Sequence, residues 1–157
     1  WDMDAFLSSN LERIYVDELI YADCERRYRY ALAHQAAHLV LHKQLFASRQ
    51  IGSLEEYAAW QSQIGDSDYS QLEWQAHCLA GLILVPPLQL QERFGEARQW
   101  AEERGISSVK NWDVALSYLA IPLSNAFKVS LALMEMRLRF DKGRARGSQL
   151  HSYFQGC

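Results

Sequence analysis

The two histidines His34 and His38 are the residues whose spacing most clearly suggests chemistry. On a helix, residues four apart lie about 40° apart around the axis and about 6 Å apart along it, so both imidazoles can reach one ion. Zinc accepts imidazole nitrogens, and catalytic zinc sites use three protein ligands and leave a fourth position to water. The pair alone leaves a second interpretation open, in which both are polar residues satisfied in or near the core. His42 lies two turns from His34, about 12 Å along the axis, so it cannot share the ion and instead contacts a ligand or packs.

The elements that must position these histidines can be predicted from periodicity and from helix-ending residues. Residues 26–46 contain no glycine or proline, and their leucines recur at helical spacing, which predicts a helix. A second, strongly apolar helix is predicted over 71–85, and Pro86 ends it because proline cannot donate to the helical ladder. Residues 13–21 are rich in β-branched and aromatic side chains and are predicted to form a strand. Further helices are predicted after a capping box at Ser53, over 88–104, and over a final pair, 111–120 and 130–140, broken at Pro122.

Length and composition are those of one globular domain. The chain has 157 residues, of which 49% are apolar and 22% charged, and its net charge is −3. No apolar run approaches the roughly 20 residues needed to cross a bilayer, and an acidic chain does not indicate nucleic acid binding. Three cysteines without a C-x-x-C pair argue against a thiolate zinc site. We therefore expect a cytoplasmic protein without a membrane partner or a direct nucleic acid partner.

Two runs of sequence carry a resemblance to a known family. Residues 29–42, RYALAHQAAHLVLH, resemble the R-[FY]-x-L-A-H-E-x-x-H-x-x-L-H segment of the ImmA/IrrE zinc metallopeptidases. Residues 73–86, EWQAHCLAGLILVP, are similar to the E-x-x-A-N-x-F-A-x-x-L-L-x-P segment of the same family. The resemblance implies that His34 and His38 are zinc ligands and that Glu73 is the third. A buried carboxylate is costly unless a cation offsets the cost, which agrees with this assignment; the alternative is that Glu73 lies in solvent near a helix N-terminus.

One departure from the family pattern concerns catalysis. Gln35 stands where the family has the glutamate that acts as general base on the zinc-bound water. An amide cannot take a proton at neutral pH, and loss of such a base costs on the order of 10²- to 10⁴-fold in rate. We therefore expect the chain as written to be nearly inert, although it still binds zinc. The change from glutamate to glutamine is isosteric, which favours an engineered knockout over a natural pseudoenzyme.

A second departure lies one turn after the third implied ligand. His77 stands where the family has asparagine. Three roles stay open for it: a fourth ligand in a closed structural site, a contact that holds Glu73 or polarises a substrate carbonyl, and a polar residue satisfied by its surroundings. Trp74, beside Glu73, is expected to pack or to border a substrate groove.

Together these features predict an α+β fold, a compact zincin-like metallopeptidase domain with a small N-terminal antiparallel sheet packed on a mostly helical body. The resemblance covers about residues 11–140, and we expect a single domain over residues 1–142 with a truncated N-terminus. Residues 143–157 are expected to be a flexible tail of engineered origin, because residues 153–156 resemble part of a protease-cleavage tag. By analogy with such folds, residues 14–20 are the expected strand edge for an extended substrate.

The family resemblance also implies a function. Members typically cleave a helix-turn-helix transcriptional repressor, which releases stress-response or mobile-element genes. We therefore predict a zinc-dependent endopeptidase whose partner is such a repressor, inactive here at Gln35. The competing prediction is a non-catalytic zinc-binding module that captures a partner protein without cutting it. DNA binding through the last two helices is a third class, and the acidic net charge and the absence of a face lined by lysine and arginine argue against it.

Overall fold

The computed structural model describes residues 4–8, 10–47, 53–106 and 112–144. Within these ranges two strands are followed by eight helices: β1 (Ala5–Leu7), β2 (Ile14–Val16), α1 (Glu18–Asp23), α2 (Glu25–Leu41), α3 (Lys43–Ala47), α4 (Leu54–Gln61), α5 (Asp66–Leu84), α6 (Pro87–Glu102), α7 (Trp112–Phe127) and α8 (Leu131–Arg144). The predicted α+β class, with a small antiparallel sheet and a mostly helical body, is confirmed. The chain divides into two compact units, Trp1–Leu84 and Val85–Cys157, and a single domain over residues 1–142 stays a prediction.

The first unit is organised by the packing of α2 against α5. Both helices bury alanines, with Ala33 and Ala37 on α2 and Ala76 and Ala80 on α5 each at most 5% exposed. The distance between packed helices depends on the side chains at the contact, and small side chains permit a close approach. Polar side chains on neighbouring positions of α2 and α5 can therefore meet across this interface.

The small sheet lies on the helix that carries the histidine pair. β1 and β2 pair antiparallel, with Ala5 opposite Val16, and α2 contacts both strands. Phe6 stacks on Tyr15, the residue opposite it, with 4.8 Å between the ring centroids. Such cross-strand aromatic pairs stabilise a short ladder, so the sheet is held together on one side by ring contacts and on the other by α2.

The predicted strand over residues 13–21 is wrong after Val16. The Asp17 carboxylate accepts hydrogen bonds from the backbone N–H groups of Leu19 and Ile20, at 2.9 and 3.2 Å, and thereby caps α1. A cap of this kind satisfies the free donors of the first helical turn, and here it outweighs the β-propensity of the apolar residues that follow. The strand expected to serve as the substrate edge, residues 14–20, therefore extends only over Ile14–Val16.

The helix predicted over residues 26–46 is two helices. α2 ends at Leu41, and His42 adopts a non-helical conformation with φ −122° and ψ 19° before α3 begins at Lys43. The backbone N–H of His42 still donates to the carbonyl oxygen of His38 at 2.8 Å, so the last turn remains closed. The break leaves the His42 side chain buried at the end of α2, next to the histidine pair.

An aromatic cluster closes the first unit beneath the histidines. Phe46 of α3 packs with Tyr57 and Trp60 of α4, and its ring also meets the His38 ring edge-on at 5.4 Å between centroids. The predicted capping box is present at the start of α4, where the Ser53 hydroxyl accepts from the backbone N–H three residues later and the glutamate there accepts from the Ser53 N–H. The box satisfies two donors that the first turn leaves free and so fixes where α4 presents its aromatic residues.

The second unit consists of α6, α7 and α8, and α7 contacts both other helices. The predicted helix break at Pro122 is wrong, because α7 runs through this residue to Phe127. Proline removes the helical hydrogen bond to the carbonyl four residues earlier, which belongs to Tyr118, an exposed residue of α7. The chain turns instead at Lys128, whose φ is 52°.

The first two residues of the predicted tail, 143 and 144, belong to the last helix. α8 extends to Arg144, and the remaining residues of the tail, 145–157, lie outside the described residues. No single helix among the described residues has the length and apolar composition to span a bilayer. The pair Val114–Phe127 and Leu131–Phe140 meets those two criteria only jointly, across a bend of 114°.

Candidate metal centre

Three predicted ligand side chains meet where α2 packs on α5. His34 Nε2 lies 3.0 Å from His38 Nε2 and 3.0 Å from Oε2 of Glu73, and His38 Nε2 lies 3.3 Å from Oε1 of Glu73. The two histidines occupy consecutive turns of α2, and the carboxylate comes from α5. All three side chains are largely shielded, with His38 the most buried at 2% exposed. The structure therefore brings the three residues to one point in the first unit.

The donor set and its spacing fit a zinc ion. Two atoms bound to tetrahedral zinc at 2.0–2.1 Å are about 3.3 Å apart, and the three distances that join His34, His38 and Glu73 are close to this value. Two imidazoles and one carboxylate are also a common ligand set of catalytic zinc. The same donors suit other divalent transition metals, so zinc and the individual ligand roles stay predictions.

The protonation states of the cluster also suit a metal. Burial raises the pKa of the Glu73 carboxyl, but the hydrogen bonds that the protonated imidazoles of His34 and His38 donate, together with their positive charges, outweigh burial and hold that pKa well below its ordinary value. Burial is the main reason that the pKa of His38 is lowered, and it also lowers the pKa of His77. Metals bind the deprotonated forms of these groups. At neutral pH the cluster therefore offers an ionised Glu73 carboxylate beside the neutral imidazoles of His38 and His77.

The metal-free protein is expected to lose stability as the pH falls below the ordinary histidine pKa of 6.5. In the unfolded chain His38 and His77 take up protons near that pH, whereas in the folded chain their pKa values are lower. The unfolded state then binds more protons, so the free energy of unfolding falls with falling pH. Glu73 extends the loss below its ordinary pKa of 4.5 for the same reason. Urea unfolding in the presence of a chelator measures the effect, and an unfolding midpoint that stays constant from about pH 7.5 to 5.5 would contradict it.

His77 lies at the exposed edge of the cluster. One ligand atom each of His34, Glu73 and His77 lies within 4.8 Å of the others. The His77 Nδ1 atom is hydrogen-bonded to the hydroxyl of Tyr30, and the two rings are stacked with 5.8 Å between their centroids. The Tyr30 contact fixes the orientation of the imidazole and leaves its Nε2 for a further contact. His77 therefore lies near the predicted metal ligands, and its own ligand role stays a prediction.

Gln35, at the position of the family's general base, is engaged in a structural hydrogen bond. Its Nε2 donates to the carbonyl oxygen of Ala5 in β1 at 2.9 Å, and its side chain is buried. The direction of this bond is unambiguous because a carbonyl can only accept. A glutamate carboxylate has no donor and could not make the same contact. The amide at position 35 therefore ties α2 to β1, in addition to lacking the basicity of a carboxylate.

His34 and His38 differ in the hydrogen-bond partner of their Nδ1 atoms. His38 Nδ1 lies 3.0 Å from Nδ1 of His42, and His42 Nε2 lies 2.9 Å from Oε1 of Gln75 on α5. By contrast, His34 Nδ1 is buried with no hydrogen-bond partner among the described residues. Of the two roles left open for His42, contact with a ligand is the one that this geometry supports.

An open cavity of about 310 Å³ lies beside His34 and Glu73. Tyr57, Tyr69 and Glu73 lie together on its wall. Burial and the nearby Glu73 charge raise the pKa of Tyr69 to about 12, so its hydroxyl stays protonated at neutral pH. Further lining residues come from β1 and its vicinity and from α2 and α4: Asp4, Ala5, Tyr30, Gln35 and Gln61. Trp74 is 61% exposed on α5 and does not line this cavity.

Four residues of the site are not identified by the sequence analysis: Tyr30, Tyr57, Tyr69 and Gln75. For two of them a signal exists, because Tyr30 precedes His34 by four residues and Tyr69 precedes Glu73 by four, which places each pair on one helix face. The other two come from elements that only tertiary packing brings to the ligands they serve. No local pattern in the sequence specifies that packing.

Comparison with known proteins places the chain in a family. The Peptidase_M78 family, described as the IrrE N-terminal-like domain, matches residues 12–139. No curated protein and no solved structure matches the chain. The matched region includes every residue of the cluster, and the family consists of metal-dependent peptidases. The chain therefore belongs to the Peptidase_M78 family of IrrE-like metallopeptidases.

Proposed function

We propose that the chain carries the zinc centre of a cytoplasmic endopeptidase that cleaves a helix-turn-helix transcriptional repressor and thereby derepresses stress or mobile-element genes. The observation that carries the proposal is the convergence of His34, His38 and Glu73 at distances suited to zinc, beside an open cavity. Membership of a metallopeptidase family supports the reaction class. The repressor is proposed from the family resemblance.

Different residues around the cavity would bind the metal and align the substrate of such a peptidase. Zinc, when bound, acts as a Lewis acid and lowers the pKa of water in its vicinity. The two histidines and Glu73 would hold the ion, and the protonated Tyr69 hydroxyl lines the same cavity as the Glu73 carboxylate. β1 borders the cavity through Ala5, so it, rather than β2, is the strand along which an extended substrate can align by main-chain hydrogen bonds.

Gln35 is compatible with metal and substrate binding but not with the catalytic step of peptide cleavage. An amide can hold a water molecule by hydrogen bonds but cannot remove its proton. In its observed position the amide also occupies the Ala5 carbonyl, an acceptor that faces the side of the sheet next to the cavity. We therefore propose that the chain as written is an inactive variant that retains the metal centre.

The proposal is tested with a helix-turn-helix repressor whose gene is found beside that of this protein. The zinc-loaded chain is expected to co-elute with that repressor in size-exclusion chromatography and to leave it intact. Replacement of Gln35 by glutamate is expected to produce cleavage at a defined bond, which a chelator abolishes. A chain that binds no zinc under these conditions would rule out the metal centre itself.

Two observations favour a second candidate function, a non-catalytic zinc-binding module that captures a partner protein. The Gln35 Nε2 donates to the Ala5 carbonyl of β1 and so has a structural role that a carboxylate could not fill, while Oε1 of the same amide is buried with no hydrogen-bond partner among the described residues. A ligand atom of His77 lies within 4.8 Å of those of His34 and Glu73, so a fourth protein ligand is within reach. Four protein ligands would close the site and leave no position for water.

The variant His77→Asn, which introduces the asparagine of the family pattern, separates the two candidates. If three residues hold the metal, the variant is expected to bind zinc at most about 100-fold more weakly than the parent chain, because loss of an outer contact costs 10- to 100-fold in metal affinity. A loss of more than about 100-fold would indicate that His77 is a ligand. Zinc competition with a chromophoric chelator measures the affinity, and X-ray absorption at the zinc edge counts the imidazoles in both proteins.

A further inference from the structure

The Nδ1 atom of the His38 ring, opposite the predicted metal-binding Nε2, begins a series of contacts with two further side chains, His42 and Gln75. His38 Nδ1 lies 3.0 Å from His42 Nδ1, and His42 Nε2 lies 2.9 Å from Gln75 Oε1. His38 is 2% exposed and His42 is 7% exposed, so water has little access to either ring. The two imidazoles therefore depend on each other and on Gln75 for their hydrogen bonds.

The hydrogen bonds from His38 through His42 to Gln75 all donate in one direction, and the amide oxygen of Gln75 sets that direction. The amide oxygen of Gln75 can only accept, so His42 Nε2 must carry the proton and donate it. A neutral His42 then has a lone pair on Nδ1, which accepts from Nδ1–H of His38. With its proton on Nδ1, His38 has a lone pair on Nε2, the atom that lies 3.0 Å from His34 Nε2.

We propose that Gln75 and His42 form a relay that fixes His38 in the one neutral tautomer able to bind a metal through Nε2. The inference rests on the proposed function in one respect, because it takes His38 to be a metal ligand. Gln75 and His42 are positioning residues, since neither reaches the metal or the substrate. If the amide of Gln75 were reversed, the same series of hydrogen bonds would place a proton on His38 Nε2, and that nitrogen could then not bind a metal.

Helix geometry explains why both ends of the relay are well held. His42 follows His38 by one turn and sits where α2 stops, with its backbone N–H bonded to the His38 carbonyl. Gln75 follows Glu73 by two residues on α5, so one helix supplies both a metal ligand and the acceptor that orients a ligand of the other helix. The packing of α2 on α5 thus aligns the metal ligands and the relay at the same time.

The relay predicts how zinc affinity responds to changes at Gln75. The variant Gln75→Leu removes the acceptor and leaves the His42 N–H unsatisfied, so zinc affinity is expected to fall about 10- to 100-fold. The variant Gln75→Glu keeps an acceptor and is expected to stay within about threefold of the parent chain. Gln71→Leu, an equivalent change at an exposed position of α5, is the matched control and should leave the affinity unchanged. Competition with a chromophoric chelator provides the dissociation constants.

A direct measurement of the ring protons keeps the proposal testable if a variant does not fold. Long-range ¹H–¹⁵N correlation spectra of the zinc-loaded parent chain are expected to show His38 protonated on Nδ1 and His42 protonated on Nε2. A proton on Nδ1 of His42, or an affinity of Gln75→Leu equal to that of the parent, would overturn the relay while the zinc centre stands. A parent chain that binds no zinc would overturn the proposed function together with the relay.

Discussion

The variant Gln35→Glu is expected to cleave the repressor about 10²- to 10⁴-fold faster than the chain as written, which is the usual contribution of a positioned general base. A carboxylate at position 35 lies on the same helix as His34 and His38, one residue from the first of them, and can accept a proton that the amide cannot. The gain requires zinc, so 1,10-phenanthroline should abolish it. Product formation is measured by mass spectrometry of the repressor over time.

The same substitution is expected to lower stability while it raises activity. The Gln35 amide gives up its hydrogen bond to the Ala5 carbonyl, and loss of a buried hydrogen bond costs roughly 1–3 kcal/mol. The free energy of unfolding of the metal-free Gln35→Glu protein should fall by about that amount. Gln61→Glu, which places a carboxylate elsewhere in the cavity, is the control and should not restore cleavage. A restored protein that binds zinc and repressor yet forms no product would contradict the peptidase proposal and favour the capture module.

Removal of the third predicted ligand by Glu73→Ala is expected to weaken zinc binding by more than about 100-fold, because loss of an outer contact alone costs 10- to 100-fold. The carboxylate is the only anionic member of the His34, His38 and Glu73 set, and it lies 3.0 Å and 3.3 Å from the two imidazole nitrogens. Its loss leaves two neutral imidazoles to hold a divalent cation. Zinc should then give almost no thermal stabilisation, whereas the parent gains about 2.7 kcal/mol when zinc is present at 100 times its dissociation constant.

Two further proteins sharpen the Glu73 experiment. Glu73→Gln keeps the shape of the side chain but removes its charge, so its zinc affinity should lie between those of the parent and Glu73→Ala. Glu92→Ala, at an exposed position of α6, controls for the change in net charge and should match the parent. Undiminished zinc content in Glu73→Ala would remove this residue from the site and leave the histidine pair without its partner.

The sequence predicts the helices of the site well because their signals are local. The His34 and His38 spacing, the capping box at Ser53 and the proline that follows the second apolar helix each act within a few residues. These signals place α2, α4 and α5 nearly where the structure has them. The implied convergence of His34, His38 and Glu73 also agrees with the observed distances, although the metal roles stay predictions.

The errors arise where a local signal competes with another interaction. The apolar run after Val16 has strand composition, but the Asp17 carboxylate caps a helix there. Pro122 has the character of a helix breaker, but α7 continues through it to Phe127, and the residue whose carbonyl loses its helical donor, Tyr118, is exposed. Contacts such as that of His42 with Gln75 depend on how α2 and α5 are rotated against each other, and no spacing within one helix encodes that rotation.

The division of the chain at residue 85 has a consequence for random mutagenesis. Every residue proposed here to hold or orient a metal precedes that point, whereas residues from Val85 onward form their own compact unit. Substitutions that abolish metal loading without unfolding the protein are therefore expected to map before residue 85. Substitutions in the three later helices are expected to act on the stability of their own unit, although the family match extends over both units.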